Sequence, residues 1–195
     1  MKKESTFQST AAPIIVLSII CLVVTFAVAF VYGITKPIIE NNTIKAANEA
    51  RAELLPEAKG DFKEYKGDLK VLKKDQVFVT EAYEATNGTG VVITVKSKSY
   101  GGLLTAMVGI DKDGAITKVK VTEHSDTPGV GTKPDEGPDF LPQYKGLKEL
   151  KNENVKNDDS VKHITGASVS SSAIHEAVWN AMQQYKICLL YTSPS

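Results

Sequence analysis

A chain of 195 residues, 42% hydrophobic and 24% charged, has room for one ordinary domain and little more. Its 23 basic side chains balance 23 acidic ones, so it lacks the basic excess of a nucleic-acid binder, and no nucleic-acid partner is expected. Two cysteines, Cys21 and Cys188, are too few and too far apart for a disulfide framework, and three histidines without an H-x-x-x-H pair give no zinc hydrolase pattern, so no metal site is expected.

The first element is apolar. From Ala11 to Ile34 the chain carries no charge, and a helix of about 21 residues spans roughly 31 Å, enough for the hydrocarbon core of a bilayer. Lys2 and Lys3 precede the span, and Lys36 with Pro37 closes it. The lysines ahead of it predict a cytoplasmic N-terminus and an exported remainder. A cleaved signal peptide is the alternative, given the A-x-A pattern of Ala27-Val28-Ala29; the run, however, is longer than a usual signal core and continues past Ala29. Cys21 reads as a small apolar residue of this helix.

Pro37 to Pro56 reads as a helix leaving the membrane, with an imperfect stripe of Ile38, Ile39, Ile44, Ala47, Ala50, Leu54 and Leu55. The charged stretch from there to Gln76 predicts a strand or two at a domain edge. Strand signals follow. Val77–Ala85 leads to Asn87-Gly88, a pair suited to the positive φ angles of a tight hairpin; Val91–Val95 and Leu103–Ile110 come next, and Asp113-Gly114 turns into Ile116–Val121. Two hairpin turns between β-branched runs predict an antiparallel sheet. His124 to Pro142 holds four prolines and three glycines and predicts a long loop, a class that is often functional. A helix from about Ser171 to Lys186 is expected from the spacing of Ile174, Ala177, Val178, Ala181, Met182 and Tyr185, with Ser170, Ser171 or Ser172 as its cap. Beyond Lys186 the charged helical pattern stops; residues 187–195, Cys188 included, read as a non-native tail and are set aside.

Three glycine-containing clusters carry the chemistry. Ser99-Tyr100-Gly101-Gly102 allows a bend or a close backbone approach, and taken alone is a structural turn. His124-Ser125-Asp126-Thr127-Pro128-Gly129-Val130-Gly131 places backbone N–H groups where a ligand could meet them, and taken alone is a loop. Ile164-Thr165-Gly166-Ala167-Ser168-Val169-Ser170-Ser171-Ser172 precedes the last helix; it is an N-cap with spare serines or an anion site, since the first N–H groups of a helix are unpaired and its dipole favours negative charge.

Taken in order, these clusters resemble the FMN-binding domain shared by the G subunit of the Rnf electron-transport complex and the C subunit of the sodium-translocating NADH:quinone oxidoreductase. The resemblance extends from the N-terminal apolar helix to Lys186. It implies an α+β fold, a mainly antiparallel sheet with flanking helices behind one transmembrane helix. It also implies FMN attached through a phosphoester to Ser168, the last residue of Thr165-Gly166-Ala167-Ser168, with Thr165, Gly166 and Ala167 around the phosphate. Asp126, Thr127, Gly129 and Val130 would lie against the isoalloxazine ring. Two positions depart from the family's pattern: serine stands where threonine is common, and Lys162 stands where an acid is usual, Asp158 and Asp159 being out of register.

The expected organisation is a cytoplasmic N-terminus at 1–12, a transmembrane helix at 13–35, a juxtamembrane helix and connecting segment at 36–75, an FMN-binding domain at 76–186 and the tail at 187–195. The expected function is electron transfer within an Rnf-type ion-translocating complex linking ferredoxin and NAD redox chemistry, as a redox subunit rather than an independent enzyme. Its partners would be the other subunits, a flavin transferase for maturation, and membrane lipid. The alternatives are the equivalent quinone-oxidoreductase subunit or a flavin-free anchored binding or assembly module, to which Lys162 points. A serine hydrolase centred on Ser168 lacks an evident His/Asp pair.

Overall fold

The protein is described by a computed structural model over residues 12–73 and 75–192. It is α+β, and it divides into two compact units, residues 1–47 and 48–195. Helix α1, Ala12–Leu54, starts in the first unit and ends in the second. Its apolar side chains from Ile14 to Ile34 are exposed, and the stretch is long and apolar enough to cross a membrane. Ser18 Oγ donates to the Ile14 carbonyl (2.9 Å) and Thr35 Oγ1 to the Val31 carbonyl (2.8 Å), so these hydroxyls are satisfied inside the helix, as a lipid environment requires. The apolar span and the helix expected after it form one element, which runs through Pro37. A proline removes a single backbone donor, and the polar helix-forming residues beyond Pro37 continue the ladder.

The second unit is built on a six-stranded antiparallel sheet ordered β1-β3-β4-β5-β6, with β2 also paired to β3. The strands are β1 Phe62–Glu64, β2 Val71–Lys73, β3 Val77–Ala85, β4 Gly90–Lys98, β5 Leu103–Asp111 and β6 Ile116–Glu123. The four long strands lie where the sequence predicts them, and the weak segment before Gln76 supplies the two short ones. Alternation sorts the faces. Val91, Ile93 and Val95 of β4 enter one hydrophobic core, and Val92 enters a second on the opposite face.

Helix α3, Ser168–Thr192, forms one wall of the larger core through Ala173, Ile174, Ala177, Val178, Ala181, Met182 and Tyr185. It starts earlier and ends later than its sequence pattern suggests. Residues 187–192 include no glycine or proline, and Cys188, two helical turns beyond Ala181, is buried in the same core. Gln184 fastens the helix to the β1–β2 connection: its Oε1 accepts from Lys70 N–H (2.6 Å) and its Nε2 donates to the Asp68 carbonyl (3.0 Å).

On the opposite face the end of α1 closes a smaller core of Ala50, Leu54, Leu55, Ala58, Ala85, Val92 and Met107. Arg51 is buried there yet paired. Its guanidinium lies 3.6 Å above the Tyr83 ring and reaches Glu81 (3.1 Å) and Asn48 (2.7 Å). Lys118 and Lys120 of β6 both grip Glu53, holding its carboxyl at a pKa of about 2. The amphipathic stripe predicted after Pro37 is therefore a docking face only in its last turn and a half.

Between β6 and α3 there is little regular structure: a short helix α2, Lys133–Glu136, and isolated turns. Buried polar groups pin this segment. His175 Nε2–H donates to the Asn152 carbonyl (2.9 Å), and in the neutral imidazole that burial favours Tyr144 O–H donates to Nδ1 (3.1 Å). Asp158 lies 3.7 Å from Nε2 and accepts N–H bonds from Lys151, Asn152 and Ser160. Burial drives the His175 pKa down, against the opposing pull of the Asn152 carbonyl and Asp158. A histidine depressed in the folded state binds its proton more readily when unfolded, so stability falls as pH drops below the unfolded value of about 6.5. The urea midpoint of the full chain in detergent, read from its one tryptophan, Trp179, should fall between pH 7.5 and 5. In His175→Gln that slope should shrink. An identical slope in both would remove His175 from the account.

Candidate functional site

The three glycine clusters lie far apart in sequence and meet at one buried carboxylate. Asp126 Oδ2 accepts from Ser99 Oγ (2.5 Å) and Oδ1 from Gly101 N–H (2.7 Å), while the Ser170 hydroxyl donates to the same carboxylate. Burial opposes the charged form, but the bonds from Ser99, Gly101 and Ser170, with His124 nearby, outweigh it and hold the carboxyl below the ordinary carboxylate range. One side chain thus ties the β4–β5 turn, its own loop and the first turn of α3 together.

The glycines make that approach possible. A Cβ on Gly101 would sit 2.0 Å from the Ser125 carbonyl oxygen, and one on Gly131 would sit 2.8 Å from Asp126 Cβ and 3.3 Å from Ser170 Oγ. The loop's own N–H groups turn inward. Val130 and Gly131 N–H both donate to the Thr127 carbonyl, and Gly129 N–H donates to Thr132 Oγ1, which in turn donates to Glu136. Sequence alone predicts those donors open to a ligand; within the loop they are spent on holding its shape. Thr127 and Gly129 are exposed, and Val130 presents an apolar side chain that is 51% exposed.

At the start of α3 the hydroxyls are unequal. Ser171 is buried, donates to the Ala167 carbonyl and accepts from Ile164 N–H, and Ser170 is buried against Asp126. None of the three serines expected as caps is free to serve as one, because the helix starts at Ser168. Ser168 is half-buried, and its hydroxyl has no hydrogen-bond partner among the described residues. Thr165 and Gly166 are exposed, Gly166 taking φ +85° with open space around it, while Ala167 is buried beneath.

This corner suits a flavin mononucleotide. The first turn of a 25-residue helix offers unpaired N–H groups and holds no acidic side chain, and Lys162 and His163 stand exposed just before it. Lys162 is fixed there by Gln143, whose Oε1 accepts its N–H (2.8 Å) and whose Nε2 donates to its carbonyl (3.2 Å). Asp158, one of the out-of-register acids, is buried and occupied by backbone donors; Asp159 is exposed. Apolar surface for a ring system surrounds the junction in Tyr100 (81% exposed), Val130 and Val169. Ser99, Gly101 and Ser170 are the site residues that sequence reasoning did not assign. The paired glycines at 101–102 signalled the first two only as a turn, and Ser170 appeared only as a candidate helix cap.

Residues 99–183 match the FMN-binding domain family, a segment that opens on Ser99 and takes in all three clusters. The chain is similar to the G subunit of the proton-translocating ferredoxin:NAD(+) oxidoreductase complex of Clostridium ljungdahlii, 28% identical over 94% of this chain and 96% of that one. It also resembles the G subunit of the Na(+)-translocating ferredoxin:NAD(+) oxidoreductase complex of Acetobacterium woodii, at 26% over 88% and 89%. A third relative is the G subunit of the ion-translocating oxidoreductase complex of Aliivibrio fischeri, at 29% over 88% of each chain. A segment similar to the FMN-binding domain family thus follows an apolar helix that is long enough to cross a membrane.

Proposed function

We propose that this chain is a membrane-anchored electron-transfer subunit of an Rnf-type ion-translocating ferredoxin:NAD oxidoreductase complex, with FMN held through a phosphoester to Ser168 Oγ. The observation that carries the reading is the Asp126 junction, which sets a partnerless serine hydroxyl at a helix start beside an exposed apolar corner. Bound FMN would supply the redox chemistry. The protein's share is positional. Thr165 and the first N–H groups of α3 bind the phosphate, Gly166 leaves room for it, and Ala167 anchors the turn. Thr127, Gly129 and Val130, held in place by Asp126, meet the ring.

The neighbours of this subunit are the other subunits of the complex and, during maturation, a flavin transferase. Lys2 and Lys3 before the apolar span support a cytoplasmic N-terminus and an exported domain; a periplasmic-type reporter fused after Lys186 should be active, and activity of a cytoplasmic reporter alone would reverse the orientation. The domain boundaries follow the same reading, with 13–35 in the membrane, 36–75 as connection and 76–186 as the FMN-binding domain. The chain expressed with a flavin transferase should yield an FMN adduct on the peptide spanning Thr165–Ser172. Lys162 favours the second reading, a flavin-free anchored module, and an unmodified peptide beside a transferase active on a control substrate would select it.

A further inference from the structure

β6 ends the sheet on one side, with β5 as its strand neighbour. The chain covers the start of that free edge itself. Ile116 N–H donates to the Leu147 carbonyl (2.9 Å), and Gly146 N–H donates to the Ile116 carbonyl (2.7 Å). The cover stops there. In an antiparallel ladder the backbone groups of successive residues turn alternately toward the neighbouring strand and away from it. Counted through the bulge at Thr117–Lys118, those of Val119 and Val121 turn away from β5 as those of Ile116 do. Among the described residues nothing outside the sheet bonds to them. Lysines commonly blunt an open edge, but Lys118 and Lys120, the two that β6 carries, are drawn onto Glu53 of α1. Beside the open stretch lies a cavity of about 410 Å³, walled by Val119, Leu141 and Pro142, with Lys118, Lys145 and Asp135 around it.

We propose that the free edge of β6 from Lys118 to Val121 takes up an extended segment of another polypeptide, apolar and acidic in alternation, as a seventh strand of the sheet. Main-chain bonds to Val119 and Val121 hold the segment, and its alternate side chains set the specificity. Those on the face of Val119 and Val121 meet Leu141 and Pro142 and fill the cavity, which calls for apolar residues. Those on the opposite face lie beside Lys118 and Lys120. Lys118, Lys120 and Lys145 outnumber Glu53 and Asp135 around this edge, which calls for acids. A second copy of the chain is excluded by the same charges. β6 paired with itself through Val119 and Val121 would set Lys120 directly opposite its copy, and like charges so placed destabilise a sheet. The site is independent of Ser168 and of FMN.

The test uses the full chain in detergent and three fluorescein-labelled peptides: Val-Glu-Val-Glu-Val, the same peptide methylated on its valine nitrogens, and Val-Lys-Val-Lys-Val. Binding is read by fluorescence anisotropy. The acidic peptide should bind saturably and the lysine peptide should not. In the proposed register the valine N–H groups of the peptide face β6, so methylating them should weaken binding about tenfold or more, as expected when several hydrogen bonds are lost. Lys145→Glu, at an exposed position that does not threaten the fold, should weaken the acidic peptide severalfold. Residue-resolved deuterium exchange gives the second readout: the Val119 and Val121 amides should exchange freely in the chain alone and become protected when the acidic peptide is added. Equal binding of the methylated peptide would reduce the site to charge attraction and overturn the inference. Absence of binding, or binding without protection at Val119 and Val121, would overturn it too. Protection of both amides without peptide, in a chain that sediments as a dimer, would give the edge to a second copy instead. None of these failures touches the reading of Ser168, which rests on the FMN adduct.

Discussion

Ser168→Ala should abolish covalent FMN and leave the domain folded. The substitution removes a half-buried hydroxyl with no protein partner among the described residues, so no internal hydrogen bond is broken. Loss of a helix-start hydroxyl costs about 0.5–2 kcal/mol at most, and α3 is held by the larger core rather than by its first residue. Neighbouring hydroxyls should not substitute. Ser170 is committed to Asp126 and Ser171 to Ala167 and Ile164, both buried, which leaves the exposed Thr165 and the half-buried Ser172 as competitors. Peptide mass spectrometry of the variant co-expressed with the transferase measures the outcome. An adduct persisting on Thr165–Ser172 would move the attachment to a neighbouring hydroxyl and discard the assignment of Ser168.

The second large effect is expected at Gly101. A single methyl group there meets backbone rather than side chain, the Ser125 carbonyl oxygen at 2.0 Å and the Asp126 nitrogen at 2.9 Å. Neither can move without pulling Asp126 away from Ser99 and Ser170. Overpacking of a flexible side chain costs about 1–3 kcal/mol, and a rigid backbone contact lies at the upper end, so Gly101→Ala should cost about 3 kcal/mol. For a domain of this size that is roughly 6–12 °C in Tm. Thermal unfolding followed at Trp179 tests it, with Tyr100→Ala as the comparison: one residue away but exposed, it should fall within about 0.5 kcal/mol of the unsubstituted chain. Equal loss in both variants would mean that the turn tolerates the approach and that the junction contributes little to stability.

The two effects differ in kind. On the proposed reading Ser168 would carry chemistry and almost no stability, whereas Gly101 would carry stability and the geometry on which that chemistry depends. Asp126 stands between them. Its bonds to the β4–β5 turn and to α3 give a reason for the two glycines on either side of it, at 101 and 131, that neither glycine's local sequence supplies.

The amino-acid sequence was enough to determine what periodicity and local turn chemistry encode. The uncharged run before Ile34, the four long strands with Asn87-Gly88 and Asp113-Gly114 between them, and the inward face of α3 all follow from contacts within a few residues or from repeating patterns. The tertiary structure alone decided the rest. The helices read on either side of Pro37 are one continuous helix, and residues after Lys186 read as a tail, but Cys188 is buried in the core. The amphipathic stretch after Pro37 does not reveal that only Ala50, Arg51 and Leu54 of α1 are buried, because the face that receives them is assembled from β3, β4 and β5. Asp126 is the clearest case. In sequence it is an acid in a loop, to be placed against a ligand; in the fold it turns inward to donors 27 and 25 residues before it and to a serine 44 residues after it. Local sequence encodes which groups can bond, but a buried carboxylate takes the partners that chain packing brings within about 3 Å, and that proximity exists only once the sheet and α3 have come together.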